Sequence, residues 1–237
     1  MESLFRFIAS PSQCGYLPDR LWSLEYDMVA RITPAEYADR LRAGWRRFGS
    51  MLFRPRCEGC RECRSLRVVV DRFRPDRSQR RAARANAGQV QLCIGKPCVT
   101  AAKLDLYDRY HAHQADAKDW PQHPTKDPHS YAQSFVENPF RTEEWCYYLD
   151  GRLIGVGYVD DLPAGLSAIY FYYDPDERQR SLGTWNVLNV IEQAAARGLP
   201  HVYLGYYVAR CPSMLYKARF IPNQLLGEDG AWHDFRT

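Results

Sequence analysis

Ser181-Leu182-Gly183-Thr184-Trp185 stands between a tyrosine-rich stretch, Leu166 to Tyr173, and a run of helical periodicity that opens at Leu182. The stretch before it is aromatic and branched, as a strand is. The run after it repeats Leu182, Trp185, Leu188, Ile191 and Ala195 at helical spacing, and Gly198 with Pro200 ends it near Arg197. Strand, tight turn and helix N-terminus therefore follow one another here. The first N–H groups of a helix have no partner within it, so Gly183 and Thr184 are expected to offer donors to a phosphate, a carboxylate or a reacting carbonyl. An ordinary strand-to-helix connection would read the same way, so the flanks must decide.

Outward from that turn, Trp145 to Leu149, Asp150-Gly151 and Leu153 to Val159 read as a hairpin. His201 to Tyr206 reads as a further strand, with a short helix near 212–218 and a last strand near 220–226. Three antiparallel strands, a turn, a helix and a parallel strand follow the order of the GNAT acetyltransferase fold. In that fold the turn after the third strand binds the phosphate end of an acyl carrier, and Arg180-Ser181-Leu182-Gly183-Thr184 resembles a degenerate form of it. The expectation is an α/β protein. A GNAT-type mixed sheet occupies a C-terminal domain, residues 101–237, behind a smaller, Cys- and Arg-rich N-terminal α/β region, residues 1–100.

In that first region Thr33-Pro34-Ala35-Glu36 is a helix start with a cap and a capping box. Tyr37, Leu41, Trp45 and Phe48 continue at helical spacing to Gly49. Leu66 to Val70 reads as a buried strand. Asp76 to Ala87 reads as a helix carrying Arg77, Arg80, Arg81 and Arg84 along one side, and Val90, Leu92 and Ile94 alternate as a strand. Leu104 to Ala115 is helical. Asp116 to Pro139, with Pro121, Pro124, Pro128 and Pro139, is expected to be irregular apart from a short helix near 130–137, and it is long enough for a lid or binding loop.

With 237 residues, 46% hydrophobic and 25% charged, the composition is that of a globular protein. No apolar run is long enough to span a bilayer, and Met1 to Arg6 lacks a signal-peptide layout. A cytoplasmic protein with no membrane partner is expected, its eight cysteines reduced or metal-bound. The net charge of +4 is uneven: Arg54 to Arg84 holds 11 Arg, no Lys and four acids. Arg-only usage suits phosphate contact, and a solvated face would have the same composition.

Several separated motifs carry a closer resemblance. Cys14-Gly15-Tyr16-Leu17-Pro18, the cluster Cys57-Glu58-Gly59-Cys60-Arg61-Glu62-Cys63, and Tyr172-Tyr173-Asp174-Pro175-Asp176 ahead of the Arg180–Thr184 turn are similar to those of the aminoacyl-tRNA–protein transferases. Tyr203-Leu204-Gly205-Tyr206-Tyr207 and Met214-Leu215-Tyr216-Lys217 extend the match from about Cys14 to about Leu226. Within that family the chain resembles the bacterial aspartate/glutamate leucyltransferases more than the arginyl-transferases. The latter carry Cys-Gly-Tyr-Cys where Leu17 stands here. The resemblance implies leucyl-tRNA as donor, proteins beginning with Asp or Glu as acceptors, and a leucine N-terminus that bacterial proteolysis reads as a degradation signal. The iron–sulfur cluster of the arginyl branch is less expected with Leu17 in place.

The implied reaction is aminolysis of an ester by an α-amine of reference pKa about 7.7–8.0, partly neutral already. It calls for positioning and oxyanion stabilisation before strong base catalysis. Gly183 and Thr184 are the candidate donors to the ester carbonyl. Asp174 either orients the amine and takes its proton or simply opens a turn before Pro175, and Tyr206 lies at the proposed cleft. Arg180, Ser181 and Leu182 belong to the turn, and Tyr170, Tyr172 and Tyr216 surround the substrate. Lys217 is the candidate cation for an acidic N-terminal residue. Arg77, Arg80, Arg81 and Arg84 either track acceptor-stem phosphates of the tRNA or form a solvated face. No cofactor is required. Cys14, Cys57, Cys60 and Cys63 could hold zinc or an iron–sulfur cluster, or pack as reduced thiols. The alternatives are arginyl transfer by the same chemistry, an acyl-CoA-dependent acyltransferase, and a non-enzymatic RNA-binding module.

Overall fold

The computed structural model describes residues 1–118 and 124–235. The chain opens with β1 (Glu2–Ile8), a short ribbon of β2 (Ser12–Gln13) and β3 (Leu21–Trp22), and β4 (Leu24–Arg31). Helix α1 (Pro34–Arg42) comes next, with Thr33 and Glu36 in the expected capping box. The stripe expected to continue through Trp45 and Phe48 is broken. Gly44 takes φ 85°, the chain turns, and Trp45 swings back on an N–H bond to Arg40. Phe48 then ends a strand, β5 (Arg46–Phe48), which pairs with β6 (Met51–Pro55). These strands form a four-stranded antiparallel sheet in the order β1-β4-β6-β5.

Next come β7 (Arg64–Val69), α2 (Arg77–Asn86) capped by Asp76, and β8 (Val90–Gly95). Helix α3 (Ala101–Lys118) is longer than its sequence stripe. Of the stretch expected to be irregular, Asp116 to Lys118 are helical, and Pro121 lies outside the described residues. Helix α4 (Pro128–Tyr131) continues into a wide turn at Ala132–Val136. Strands β9 (Thr142–Leu149), β10 (Arg152–Leu162) and β11 (Gly165–Tyr173) run as an antiparallel meander. A 3-10 turn, Pro175–Arg180, leads into α5 (Leu182–Ala196), then β12 (His201–Tyr207), a second 3-10 turn at Pro212–Arg219, β13 (Asn223–Leu226) and β14 (Trp232–Phe235).

The larger sheet has the order β14-β13-β7-β12-β11-β10-β9-β8. Its pairs are antiparallel except β11 with β12. The protein is thus α/β around an eight-stranded mixed sheet. Strands β7 and β8, from before residue 101, are members of that sheet. One face packs on α5 through Trp145, Tyr147, Leu166, Val187 and Ile191. The other packs on α3 and the Ala132–Val136 turn through Leu106, Tyr107, Phe135, Tyr158 and Tyr172.

Two irregularities position the site. Pairing along β10 and β11 passes from Tyr158↔Tyr170 to Val159↔Ala168, so Ile169 is an extra residue in β11. Such a bulge reverses the faces of the residues beyond it, which sends Tyr170 and Tyr172 to the α3 side while Leu166 stays on the α5 side. The parallel ladder of β11 and β12 holds only at Leu166↔Val202 and Ser167↔Tyr203. Beyond those pairs the two strands part.

Candidate active site

The turn read from the sequence lies past the end of β11. Asp174 opens it. Its N–H donates to the Ile154 carbonyl at 2.9 Å, and its carboxylate, fully buried, accepts from the Asp176 N–H at 3.1 Å and from Arg109 at 2.6 Å. Arg152 also ion-pairs with it. The carboxylate is therefore a clamp that fixes the start of the 3-10 turn. Arg180 closes the turn: its guanidinium donates to Glu177 at 2.7 Å and to the Ala85 carbonyl at 3.1 Å, and its own carbonyl accepts from Asn86 at 2.8 Å. Both ends of the connection are thus tied down, one to β10 and α3 and the other to α2.

Between these anchors Ser181 takes a left-handed conformation, φ 55°, at the N-cap of α5. That conformation is uncommon for a residue with a Cβ and costs about 1–2 kcal/mol. In it the Ser181 side chain makes no capping bond to the first turn. The donors of Leu182, Gly183 and Thr184 therefore have no side-chain cap at the positive end of the helix dipole. A Cβ built at Gly183 meets nothing within 4 Å, so open space lies in front of that backbone.

The tyrosines divide into three settings. Tyr172 is fully buried, with its hydroxyl 2.5 Å from that of Tyr131, which in turn bonds Tyr158. Burial pushes Tyr131 up to about 12 and Tyr158 and Tyr172 higher, so all three stay protonated. Tyr158 donates to Glu144 at 3.0 Å, and Glu144 also holds buried Lys103 at 2.5 Å. Tyr170 is half-buried and its hydroxyl lies 2.7 Å from Nε2 of His111. The other ring nitrogen, Nδ1, is 2.8 Å from the Tyr107 carbonyl, which can only accept. In the neutral ring Nδ1 therefore carries the proton, and the Tyr170 hydroxyl donates to Nε2. Tyr206 is buried and donates to the Gly44 carbonyl at 2.9 Å, docking β12 on the N-terminal sheet, whereas Tyr216 is exposed.

Lys217 is buried, 7% exposed, and donates to the Tyr206 carbonyl at 2.6 Å. Burial and the nearby Arg46 guanidinium hold its pKa down to about 7. Arg77, Arg81 and Arg84 line a cavity of about 690 Å³, joined by Arg219, Asp76 and Ser78. Arg80 is not among the lining residues; its guanidinium donates to the Pro75 carbonyl. Arg219 is recruited from the segment after β12, where it bonds Asp76 at 3.2 Å and Ser78 at 2.6 Å.

Cys14, Cys57, Cys60 and Cys63 all line one cavity of about 40 Å³, beside Tyr16 and Tyr206. Cys57 exchanges bonds with the Ser23 backbone, and Cys14 accepts the Tyr16 N–H at 3.4 Å. Burial, reinforced by the neighbouring cysteines, pushes Cys63 up to about 12, which keeps it a thiol. Among the described residues no group of three or more His, Cys, Asp or Glu side chains is arranged to hold a metal ion.

The sequence located the turn and its flanking tyrosines. It missed Arg109, Arg152, His111 and Arg46, whose roles depend on which strands and helices meet. His111 lay in a recognised helical stripe, and its polarity among Leu104, Tyr107 and Tyr110 was the available signal.

The profile described as "Arginine-tRNA-protein transferase, C terminus" matches residues 102–227, and that described as "Arginine-tRNA-protein transferase, N terminus" matches residues 12–81. A relative from Helicobacter hepaticus called aspartate/glutamate leucyltransferase is 38% identical, covering 94% of this chain and 92% of its own. Proteins of the same name from Marinobacter nauticus and Campylobacter jejuni are 39% and 34% identical, covering 100% and 93% of this chain and 98% and 92% of their own. Among solved structures, the C-terminal domain of a putative lysylphosphatidylglycerol synthetase from Agrobacterium fabrum aligns with a TM-score of 0.49 at 13% identity, over 68% of this chain and 57% of that one. That likeness is too slight to bear on function. Among the described residues no helix is long and apolar enough to cross a membrane.

Proposed function

The chain belongs to the arginine-tRNA-protein transferase family, and within it we propose that it moves leucine from leucyl-tRNA to the α-amine of proteins that begin with Asp or Glu. Leucine is favoured over arginine as the donor group because the relatives at 34–39% identity carry the leucyltransferase name. The setting is bacterial cytoplasm, and the leucine-tipped product is a degradation signal. The fold of the second part is GNAT-type: the meander β9-β10-β11, the turn, α5 and the parallel β12 keep that order, with the bulge and the split beside the turn. The division near residue 100 follows the gap between the two matched profiles.

The observation that carries the site is the uncapped N-terminus of α5 with open space before Gly183. Amide donors fixed there stabilise the oxyanion that forms as the amine attacks the leucyl ester, at no cost of reorganisation. Gly183 and Thr184 supply the donors, with Ser181 and Leu182 shaping the turn. Asp174 and Arg180 position it. Tyr170, its own proton committed to His111, presents an oxygen to the attacking amine, exposed Tyr216 borders the acceptor path, and buried Tyr172 braces the strand behind Tyr170 through Tyr131. Lys217, against the Tyr206 carbonyl, answers the acidic side chain. Arg77, Arg81 and Arg84 meet the tRNA phosphates at the α2 cavity, with Arg80 at its margin.

Replacing Gly183 by Ala tests the site. The new methyl meets no atom within 4 Å beyond its chain neighbours and its own turn of helix, and Ala is the better helix former by about 1 kcal/mol. Thermal unfolding is expected at or above the wild-type temperature while leucine transfer falls by at least about tenfold. Full transfer by this variant would remove the α5 N-terminus from the mechanism.

A further inference from the structure

We propose that Arg46 and Lys217 together form the seat for the side-chain carboxylate of the incoming N-terminal Asp or Glu, where β11 and β12 part. The inference rests on the leucyl-transfer function and names the part of the site that reads the acceptor.

Arg46 and Arg47 are neighbours on β5, and both are buried, 7% and 2% exposed. Arg47 is fully answered. It donates to both carboxylate oxygens of Asp160, to Thr142 at 2.6 Å, to Asn138 at 2.8 Å and to the Gly49 carbonyl at 2.7 Å. The Arg46 guanidinium, on the opposite side of the same short strand, donates among the described residues to one carbonyl, that of Ala168 at 2.6 Å. No carboxylate among the described residues lies within ion-pair distance of Arg46 or of Lys217. A buried guanidinium without a counter-charge is among the most expensive arrangements a fold can hold, and buried Lys217, whose charged form Arg46 disfavours, stands near it.

Three observations place them close together. Arg46 acts on Lys217, and on Tyr206 whose carbonyl Lys217 holds. A Cβ built at Gly205 would lie 3.6 Å from two guanidinium nitrogens of Arg46, so the guanidinium rests against the bare backbone of β12. Ala168, which accepts from Arg46, is the residue just past the last rung of the β11–β12 ladder. The pair therefore bridges the split itself, on the side where Tyr206 borders the 40 Å³ cavity.

The chemistry selects a carboxylate. A guanidinium has five N–H donors and an ammonium three, and one of each is spent on a carbonyl. The remaining fork suits a planar carboxylate in bidentate fashion, with the lysine adding a third bond. A tRNA phosphate would instead find exposed arginines in the open cavity beside α2.

The test measures leucine transfer from leucyl-tRNA to peptides identical except for a first residue of Asp, Glu, Asn or Gln, together with leucyl-tRNA affinity and thermal unfolding. It compares wild type with Arg46→Met, Arg46→Lys and Lys217→Met. The expected result is a KM for Asp and Glu peptides raised at least about tenfold in both Met variants, with kcat changed less. Arg46→Lys should recover part of the loss, leucyl-tRNA affinity should stay within about twofold, and both Met variants should remain folded at the assay temperature. Unchanged KM in the Met variants would overturn the seat, as would equal loss for every acceptor accompanied by weaker leucyl-tRNA binding, the mark of a phosphate site. Should both Met variants fail to fold, Arg46→Lys decides: a wild-type KM there overturns the seat and a raised one supports it. Failure of the wild type to transfer leucine to any peptide would instead sink the function on which the seat depends.

Discussion

Two consecutive arginines with the same burial carry opposite obligations. Arg47 holds Asp160, whose side chain, like its own, is wholly inaccessible, so Arg47→Met would leave a buried carboxylate alone. Urea unfolding should show a loss of about 3–5 kcal/mol. Arg46 leaves no acid behind, so Arg46→Met should lose less than about 1 kcal/mol in the same measurement or gain stability. Similar losses for the two variants would mean that Arg46 is structural. Nothing in Trp45-Arg46-Arg47-Phe48 distinguishes these residues, because the difference lies in which acids and carbonyls the distant β10 and β11 bring to each side of β5. The placement of Ser181 and Gly183 at a helix start was legible by contrast, since a helix start is a local feature whose free donors are set by its own geometry. Lys217 was legible as an oddity, a cation among aromatic residues, but the carbonyl it holds was not.

At the scale of elements, the second half of the chain was readable because each strand alternates or is apolar throughout and each turn has its own punctuation. The N-terminal sheet was not. β1 is exposed along its whole length, leaving no burial pattern to read. β5 was taken for helix because Trp45 and Phe48 fall at helical spacing from Leu41, and the left-handed Gly44 overrides that spacing. The parallel pairing that makes the split possible depends on β12, which begins at His201 beside Val69 of β7. Burial, with Arg67 nearby, holds His201 down to about 4. The folded state therefore binds fewer protons here than the unfolded chain between about pH 4 and the reference value of about 6.5. Stability from this group is present above about 6.5 and is lost as pH falls through that window to about 4. His201→Gln should reduce the drop in urea midpoint between pH 7 and pH 4.5 relative to wild type. An unchanged drop would show that His201 is not held neutral by the fold.

Across the whole molecule, the N-terminal part supplies charge and docking while the larger sheet supplies the turn. The two meet through Arg46 on Ala168, Tyr206 on Gly44 and Arg47 on Asp160. The cavity gathers three arginines of α2 and Arg219 from the segment after β12, so the proposed tRNA contact draws on both parts. Phosphate contacts release counterions, and log affinity should fall linearly with log salt. Replacing Arg81 and Arg84 together by Gln should flatten that slope by about 1.4–1.8 if each meets one phosphate, with little change in preference among peptides. An unchanged slope would place the tRNA elsewhere. The sequence showed the arginine excess but not that Arg219 joins the cavity lining while Arg80 is left out of it, since both depend on how α2 packs against the Pro212–Arg219 turn. The most direct measurement is transfer itself: purified protein with labelled leucyl-tRNA or arginyl-tRNA and peptides beginning with Asp, Glu, Arg or Ala. Leucine on the Asp and Glu peptides alone is the predicted result. Arginine in its place, or no transfer from either tRNA, would contradict it.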